Sequence, residues 1–143
     1  MFMFGTLRAS LAQAAEVLRK LQSGKCFYCS ANLSKEADVD HFIPWSKYPR
    51  DLAHNFVLAH ASCNRKKSDM LAAQQHLKNW LLRNQTYGTD LSYELTGFIA
   101  DNDCSNRVAY WAYEQAVQSG SRGWIERQHT ELLNKSCLTL FTI

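Results

Sequence analysis

"VDHFIPW", Val39 to Trp45, is the stretch whose reading decides the fold. An acid and a histidine, Asp40 and His41, stand side by side at the end of a run that alternates like a strand, and Pro44 closes it. Neither side chain belongs in an apolar core without partners, because a buried charge is costly unless it is paired. The pair therefore predicts a site rather than a packing position. "ADVDHF", 37–42, has the pattern of a short strand, and "NFVLAH", 55–60, that of a second. Between them "IPWSKYPRDLAH", 43–54, holds both prolines of the chain and is expected to be a loop.

Outward from the strands lie two ligand-like pairs. Cys26 and Cys29 are spaced C-x-x-C and His60 and Cys63 H-x-x-C, with thirty residues between the pairs. Each pair can present two ligands from one tight turn or first helical turn. Together they offer three thiolates and an imidazole, a closed tetrahedral set for structural Zn2+. The plainer reading, a satisfied core histidine and merely buried thiols, leaves unexplained why the pairs flank both strands so closely. No histidine pair follows Cys29 at the interval of a C2H2 finger. The H-x-E of His129 to Glu131 comes after the cysteines, the wrong order for a zinc deaminase. The zinc is expected to be a staple between the approach to the first strand and the start of the helix after the second.

On that scaffold Asn55 opens the second strand, and Asn64 follows Cys63 in the first turn of the helix. Asp40 and Asn64 offer the hard oxygen ligands that Mg2+ or Mn2+ accepts. His41, next to Asp40, points to the other side of the strand. It suits taking a proton from an attacking water. Asn55 is expected to hold the loop carrying His41 by an amide-to-backbone hydrogen bond, or to orient the imidazole. These residue types suit metal-assisted phosphodiester hydrolysis. Arg65, Lys66 and Lys67, in the same helix, are expected to contact phosphate, with Lys47 and Arg50 of the loop as further candidates. Trp45 and Tyr48 are expected to pack over His41 rather than to wedge into a groove.

The segment "VDHFIPWS…HNFVLAHASCNRKKSD" resembles the HNH endonucleases, the ββα-metal or His-Me finger fold. The D-H dipeptide, the P-x-S, the N-F-V-L and the C-N-R-x-K stand in that family's order, and the HNH domain of CRISPR effector nucleases shares the D-H…N…N-R-x-K-S-D arrangement. The resemblance covers residues 26 to about 73. It implies an endonuclease acting on DNA, with His41 as general base, Asp40 and Asn64 binding a catalytic Mg2+ or Mn2+, Asn55 as the central asparagine, and a role such as restriction or phage defence. There are two departures. Asn64 stands where the family name expects a histidine, which favours Mg2+ or Mn2+ over nickel or zinc. His60 stands where many zinc-bearing members have a cysteine, which makes the cluster less negative. The alternative is a zinc-stabilised nucleic-acid-binding module without catalysis; a structural zinc module for protein contacts is a third reading.

The 143 residues suffice for one domain, expected over 1–143 as a helical flank (1–25), a zinc-stapled ββα core (26–73) and a helical extension (74–143), α+β in class. The formal charge of +3 permits nucleic acid as a partner without arguing for it. Double-stranded DNA is the expected partner, with a homodimer or a partner protein or domain left open. No apolar run is long enough to span a membrane. "MFMFGTLRASLAQAA" carries a cleavage-like AQA, but no positive charge precedes its apolar part and Arg8 interrupts it. An odd count of five cysteines suits a reducing compartment, so a cytoplasmic protein is expected. Residues 6–22 read as a helix. The chain from 61 or 62 to about 84 reads as one helix or two, and 92–100 as helix or strand. "CSNRVAYWAYEQAVQSG" and "SRGWIERQHTELLNK" both read as helices joined near Gly120, and "CLTLFTI" as a strand or packed tail. Tyr110, Trp111, Tyr113 and Trp124 are expected in the core, His54, His76 and His129 in the core or on the surface, and Cys104 and Cys137 as free thiols.

Overall fold

The strands on either side of the proline loop pair with each other. In the computed structural model, which describes residues 4–141 and side chains from residue 10 on, β1 (Asp38–His41) runs antiparallel to β2 (Phe56–Ala59). Asp38 lies opposite Ala59, Val39 opposite Leu58, Asp40 opposite Val57 and His41 opposite Phe56. All four residues of β2 are buried, so it is covered on both faces. Val57 and Ala59 join Tyr28, Phe42, Trp80 and Trp124 in one apolar cluster. Phe56 and Leu58 join Ala14, Leu18, Leu91 and Leu95 in another. Side chains alternate across a strand. Asp38 and Asp40 therefore share the first face, and His41 shares the second with Phe56.

α1 (Phe4–Leu21) supplies Ala14 and Leu18 to the second cluster. Just beyond it, the Gln22 amide donates to Leu58 O at 2.8 Å and accepts from Leu58 N at 2.9 Å. This closes the edge of β2, which would otherwise offer itself to another strand. After β2 the chain enters α2 (Ala61–Lys67), which completes a ββα unit and stops at Ser68, a residue with φ 53°. The stretch from 61 is thus two helices. The second, α3 (Gln74–Glu94), is a single 21-residue helix that takes in the start of the ambiguous 92–100 segment. α4 (Asn102–Gln118) is capped by the Asp101 carboxylate, which accepts from Cys104 N at 3.0 Å. No described helix is long and apolar enough to cross a membrane.

α3 is bound to the ββα unit through buried polar side chains as well as apolar ones. Trp80 stacks on Phe42 with centroids 4.9 Å apart and planes 8° from parallel. Arg83, fully inside, donates to Phe56 O at 2.8 Å, His54 O at 2.9 Å and Asn84 Oδ1 at 2.9 Å. His54 Nε2 in turn donates to Gly88 O at 2.8 Å. Together these bonds clamp the 3-10 turn at Ala53–Asn55 that leads into β2. Burial pulls the Arg83 pKa down to about 9, which leaves the guanidinium charged at neutral pH. Arg83→Ala strands the buried Phe56 carbonyl and leaves His54 O to the Asn84 amide, which donates to it at 3.0 Å. It is expected to lower the unfolding free energy by about 2–3 kcal/mol, read as a lower urea midpoint at unchanged slope.

The expected helix over "SRGWIERQHTELLNK" is instead a hairpin, β3 (Arg122–Glu126) and β4 (His129–Leu132), turning at Arg127 with φ 50°. Tertiary pairing overrides the local pattern here. Trp124 N donates to Leu71 O at 2.9 Å, and Ala73 N donates to Trp124 O at 2.8 Å, so β3 bonds to the link between α2 and α3. Gly123 permits that approach: a Cβ there would lie 3.0 Å from Ala73 Cα and 3.1 Å from Ala72 O. The tail "CLTLFTI" lies partly in a 3-10 turn, Lys135–Leu140, rather than a strand; its last two residues fall outside those described. Tyr113 and Trp124 are core residues, whereas Trp111 is half exposed. His54 and His76 are buried, and His129 is exposed.

Candidate active site and metal centre

The knuckle is built from local turns. Cys26 N donates to Ala31 O at 2.9 Å and Ser30 N to Cys26 O at 3.0 Å, which folds the C-x-x-C back on itself. Phe27 N donates to Leu58 O at 3.0 Å and docks the turn on β2. His60 and Cys63 arrive from the start of α2, and the four ligand atoms of Cys26, Cys29, His60 and Cys63 lie within 4.8 Å of one another. His60 Nδ1 is 3.2 Å from Cys29 Sγ and 3.9 Å from Cys63 Sγ. Tetrahedral Zn2+ bonds imply edges of about 3.5–3.8 Å. His60 Nε2 donates to Asn32 O at 2.9 Å, which fixes the tautomer and turns the Nδ1 lone pair to the sulfurs.

The charge balance of the cluster also fits a dication. Burial pushes the Cys26 thiol up, but backbone N–H groups of Cys29, His60 and Tyr28 outweigh it and leave the pKa below its usual value. Burial and the neighbouring Cys26 and Cys29 sulfurs push Cys63 up to about 12. Three sulfurs this close cannot all ionise unaided, and a bound cation is what permits it.

Asp40 is buried on the α2 side of β1. Its Oδ2 accepts from Tyr28 Oη at 2.5 Å and lies 3.4 Å from Lys67 Nζ. Burial, then the Asp40 charge, holds the Tyr28 pKa well above its usual value, so the phenol remains a donor. This placement corrects the expectation for Lys67. It is not on a basic surface facing phosphate but fully inside, with Nζ also donating to His41 O at 3.3 Å and 5.9 Å from the Tyr28 ring centroid. Burial pushes its pKa down against the pull of Asp40. Arg65, Lys66, Lys47 and Arg50 are exposed, as a surface contact requires.

Asn64 does not contact Asp40 directly. Its Nδ2 donates to Asp38 Oδ2 at 3.0 Å, two residues earlier on the same face of β1. The amide Oδ1 and the Asp40 Oδ1 carry none of these contacts, and with Asp38 they give one face of the ββα unit a set of hard oxygens suited to Mg2+ or Mn2+. Asp38, Val39 and Asn64 line a surface groove beside Leu11 and Ala15 of α1.

His41, on the other face, is about a quarter exposed, and its Nε2 donates to Asp51 Oδ1 at 2.7 Å. The rings of Phe56 and Trp45 meet it edge-on at 5.2 and 5.6 Å. The Asn55 amide takes both backbone groups of Ile43: Oδ1 accepts from Ile43 N at 2.7 Å, and Nδ2 donates to Ile43 O at 2.9 Å. This pins the chain two residues after His41.

Three further residues of the site, Tyr28, Asp38 and Asp51, carry only weak signals in the sequence. Tyr28 lies between the knuckle cysteines, Asp38 is two residues from Asp40 and so on its face, and Asp51 is the sole acid of the 43–54 loop. Those are the signals that point to them.

Residues 26–73 match the family model for HNH endonuclease. The match runs from the first knuckle cysteine, through both strands and α2, to the residue before α3. No curated protein and no solved structure matches the chain.

Proposed function

We propose, from the HNH endonuclease membership of residues 26–73, that the protein is a metal-dependent endonuclease hydrolysing DNA phosphodiester bonds. The observation that carries this reading is the partly exposed His41 held between fixed neighbours at the end of β1, beside a face bearing Asp38, Asp40 and Asn64. His41 takes a proton from a water. The water oxygen attacks phosphorus, and the bond from phosphorus to the departing sugar oxygen breaks, its electron pair leaving with that oxygen, which is then protonated from solvent. Asp40 and Asn64 hold Mg2+ or Mn2+, and the cation supplies stabilisation of charge on the phosphate and the leaving oxygen. Asn55 keeps the His41 loop in place. Zn2+ at Cys26, Cys29, His60 and Cys63 is structural. Arg65, Lys66, Lys47 and Arg50 contact the phosphates of double-stranded DNA, so affinity falls steeply with salt. The flanks belong to the same domain as the nuclease segment, since α3 closes its core through Trp80 and Arg83.

Supercoiled plasmid with Mg2+ is expected to be nicked by the wild type and not in EDTA, and His41→Ala is expected to lower kcat by about 10²–10⁴-fold. Equal cutting by His41→Ala would remove His41 from the mechanism. Salt-sensitive DNA binding without cutting would leave the binding-module reading.

A further inference from the structure

We infer that Asp51 is a positioning residue of the nuclease reaction, holding His41 Nε2–H so that Nδ1 is the nitrogen that accepts the proton from water. This rests on the reading of His41 as the base.

The direction of the hydrogen bond follows from chemistry. A carboxylate has no proton to give, so at 2.7 Å the Nε2 atom is the donor. With Nε2 committed, Nδ1 is the nitrogen with a free lone pair. Four histidines here commit Nε2 to an oxygen: His54 to Gly88 O, His76 to Ile125 O, His60 to Asn32 O and His41 to Asp51. In His54 and His76 the acceptor is a backbone carbonyl and Nδ1 is buried without a partner. His60 turns its Nδ1 to the knuckle sulfurs, and only His41 of the four has a carboxylate acceptor.

Asp51 is itself held. Leu52, its neighbour, is buried and bridges to Ile99, and Ala53 N donates to Ile99 O at 2.8 Å. The end of the catalytic loop is thereby tied to the C-terminal extension. The adjacent Arg50 turns its guanidinium to Pro49 O at 2.9 Å. Among the described residues the ion-pair partner of Asp51 is His41. The ring edges of Phe56 and Trp45 then limit how far the imidazole can swing.

The test is plasmid-nicking kinetics on the full-length chain with Mg2+, comparing wild type, Asp51→Ala, Asp51→Asn and His41→Ala. The His41 tautomer is read in parallel from ¹⁵N shifts. Asp51→Ala is expected to lose about 10–100-fold in kcat at unchanged KM and unchanged Mg2+ requirement, the usual effect of removing an outer partner of a working imidazole. Asp51→Asn, whose carbonyl accepts the same hydrogen bond, is expected to lose less. The Nε2–H tautomer is expected in wild type and Asp51→Asn, and a mixture in Asp51→Ala. Wild-type kcat in Asp51→Ala, with His41→Ala inactive, overturns the role of Asp51 alone. A raised Mg2+ requirement also overturns it, by making Asp51 a metal ligand. Wild-type cutting by His41→Ala, or no cutting by the wild type, brings down both this inference and the reading beneath it.

Discussion

A strong chelator that strips the Cys26–Cys29–His60–Cys63 knuckle of its metal is expected to abolish the cooperative melting of the ββα core, and Cys63→Ser is expected to do the same. The metal's apparent contribution in such sites is about 10–16 kcal/mol, against about 5–15 kcal/mol for the whole stability of a typical domain. The elements it joins are poorly able to stand alone. α2 has seven residues and no side-chain cap at its N-terminus, whereas isolated helices below about 12–15 residues are marginal. The knuckle is a turn held by a few backbone bonds and the single bridge between Lys25 and Asn32. Without the cation, Cys63 stays a thiol, and the His60 lone pair faces sulfurs with nothing to bind. Metal analysis is expected to give one zinc per chain, lost on chelation along with near-ultraviolet dichroism. Cys104→Ser, on α4 and outside the cluster, is the control and is expected to change stability by less than about 0.5 kcal/mol. A chelated protein that melts as before would make the cluster a set of free thiols and not a staple.

The signals that revealed the ββα segment are local, and those that failed are not. C-x-x-C and H-x-x-C each fit inside one turn, and the alternation in 37–42 and 55–60 is confined to its own strand, so the sequence alone places the knuckle and both strands. Partners chosen across the fold are another matter. Strand alternation puts Asp38 and Asp40 on one face alike, and nothing in the chain order says that Asn64 meets Asp38 while Lys67 meets Asp40. The run Arg65-Lys66-Lys67 reads as one basic face. Yet Lys67 follows Asn64 by three residues, so helical geometry turns it inward with Asn64 and leaves the other two outside. The hairpin at 122–132 is not legible in its own segment because its stabilising bonds run to Leu71 and Ala73, some fifty residues earlier. Asp51 is separated from His41 by a loop whose closure depends on Leu52 and Ile99.

Lys67→Ala is expected to destabilise the fold by about 3–5 kcal/mol, because it leaves the Asp40 carboxylate buried beside a cavity with Tyr28 as its one donor. Lys67 is 0% exposed, so the stem is as much a packing element as the ammonium is a counter-charge. Lys67→Met separates the two contributions. It restores the stem but not the charge, and is expected to recover the part due to the cavity. Adding Asp40→Asn to Lys67→Met removes the remaining uncompensated charge and is expected to bring stability back toward the wild type, although neither change is benign alone. A double-mutant cycle on urea midpoints therefore should show a coupling well above the few tenths expected of independent sites. The same double variant should not cut DNA at the wild-type rate, because Lys67 Nζ also donates to His41 O and Asp40 is the proposed metal carboxylate. Stability recovered without activity would show that the pair is kept for the site it organises rather than for the free energy it adds. A loss below about 1 kcal/mol for Lys67→Ala, the range of an exposed pair, would mean that the lysine reaches solvent and that Asp40 does not depend on it.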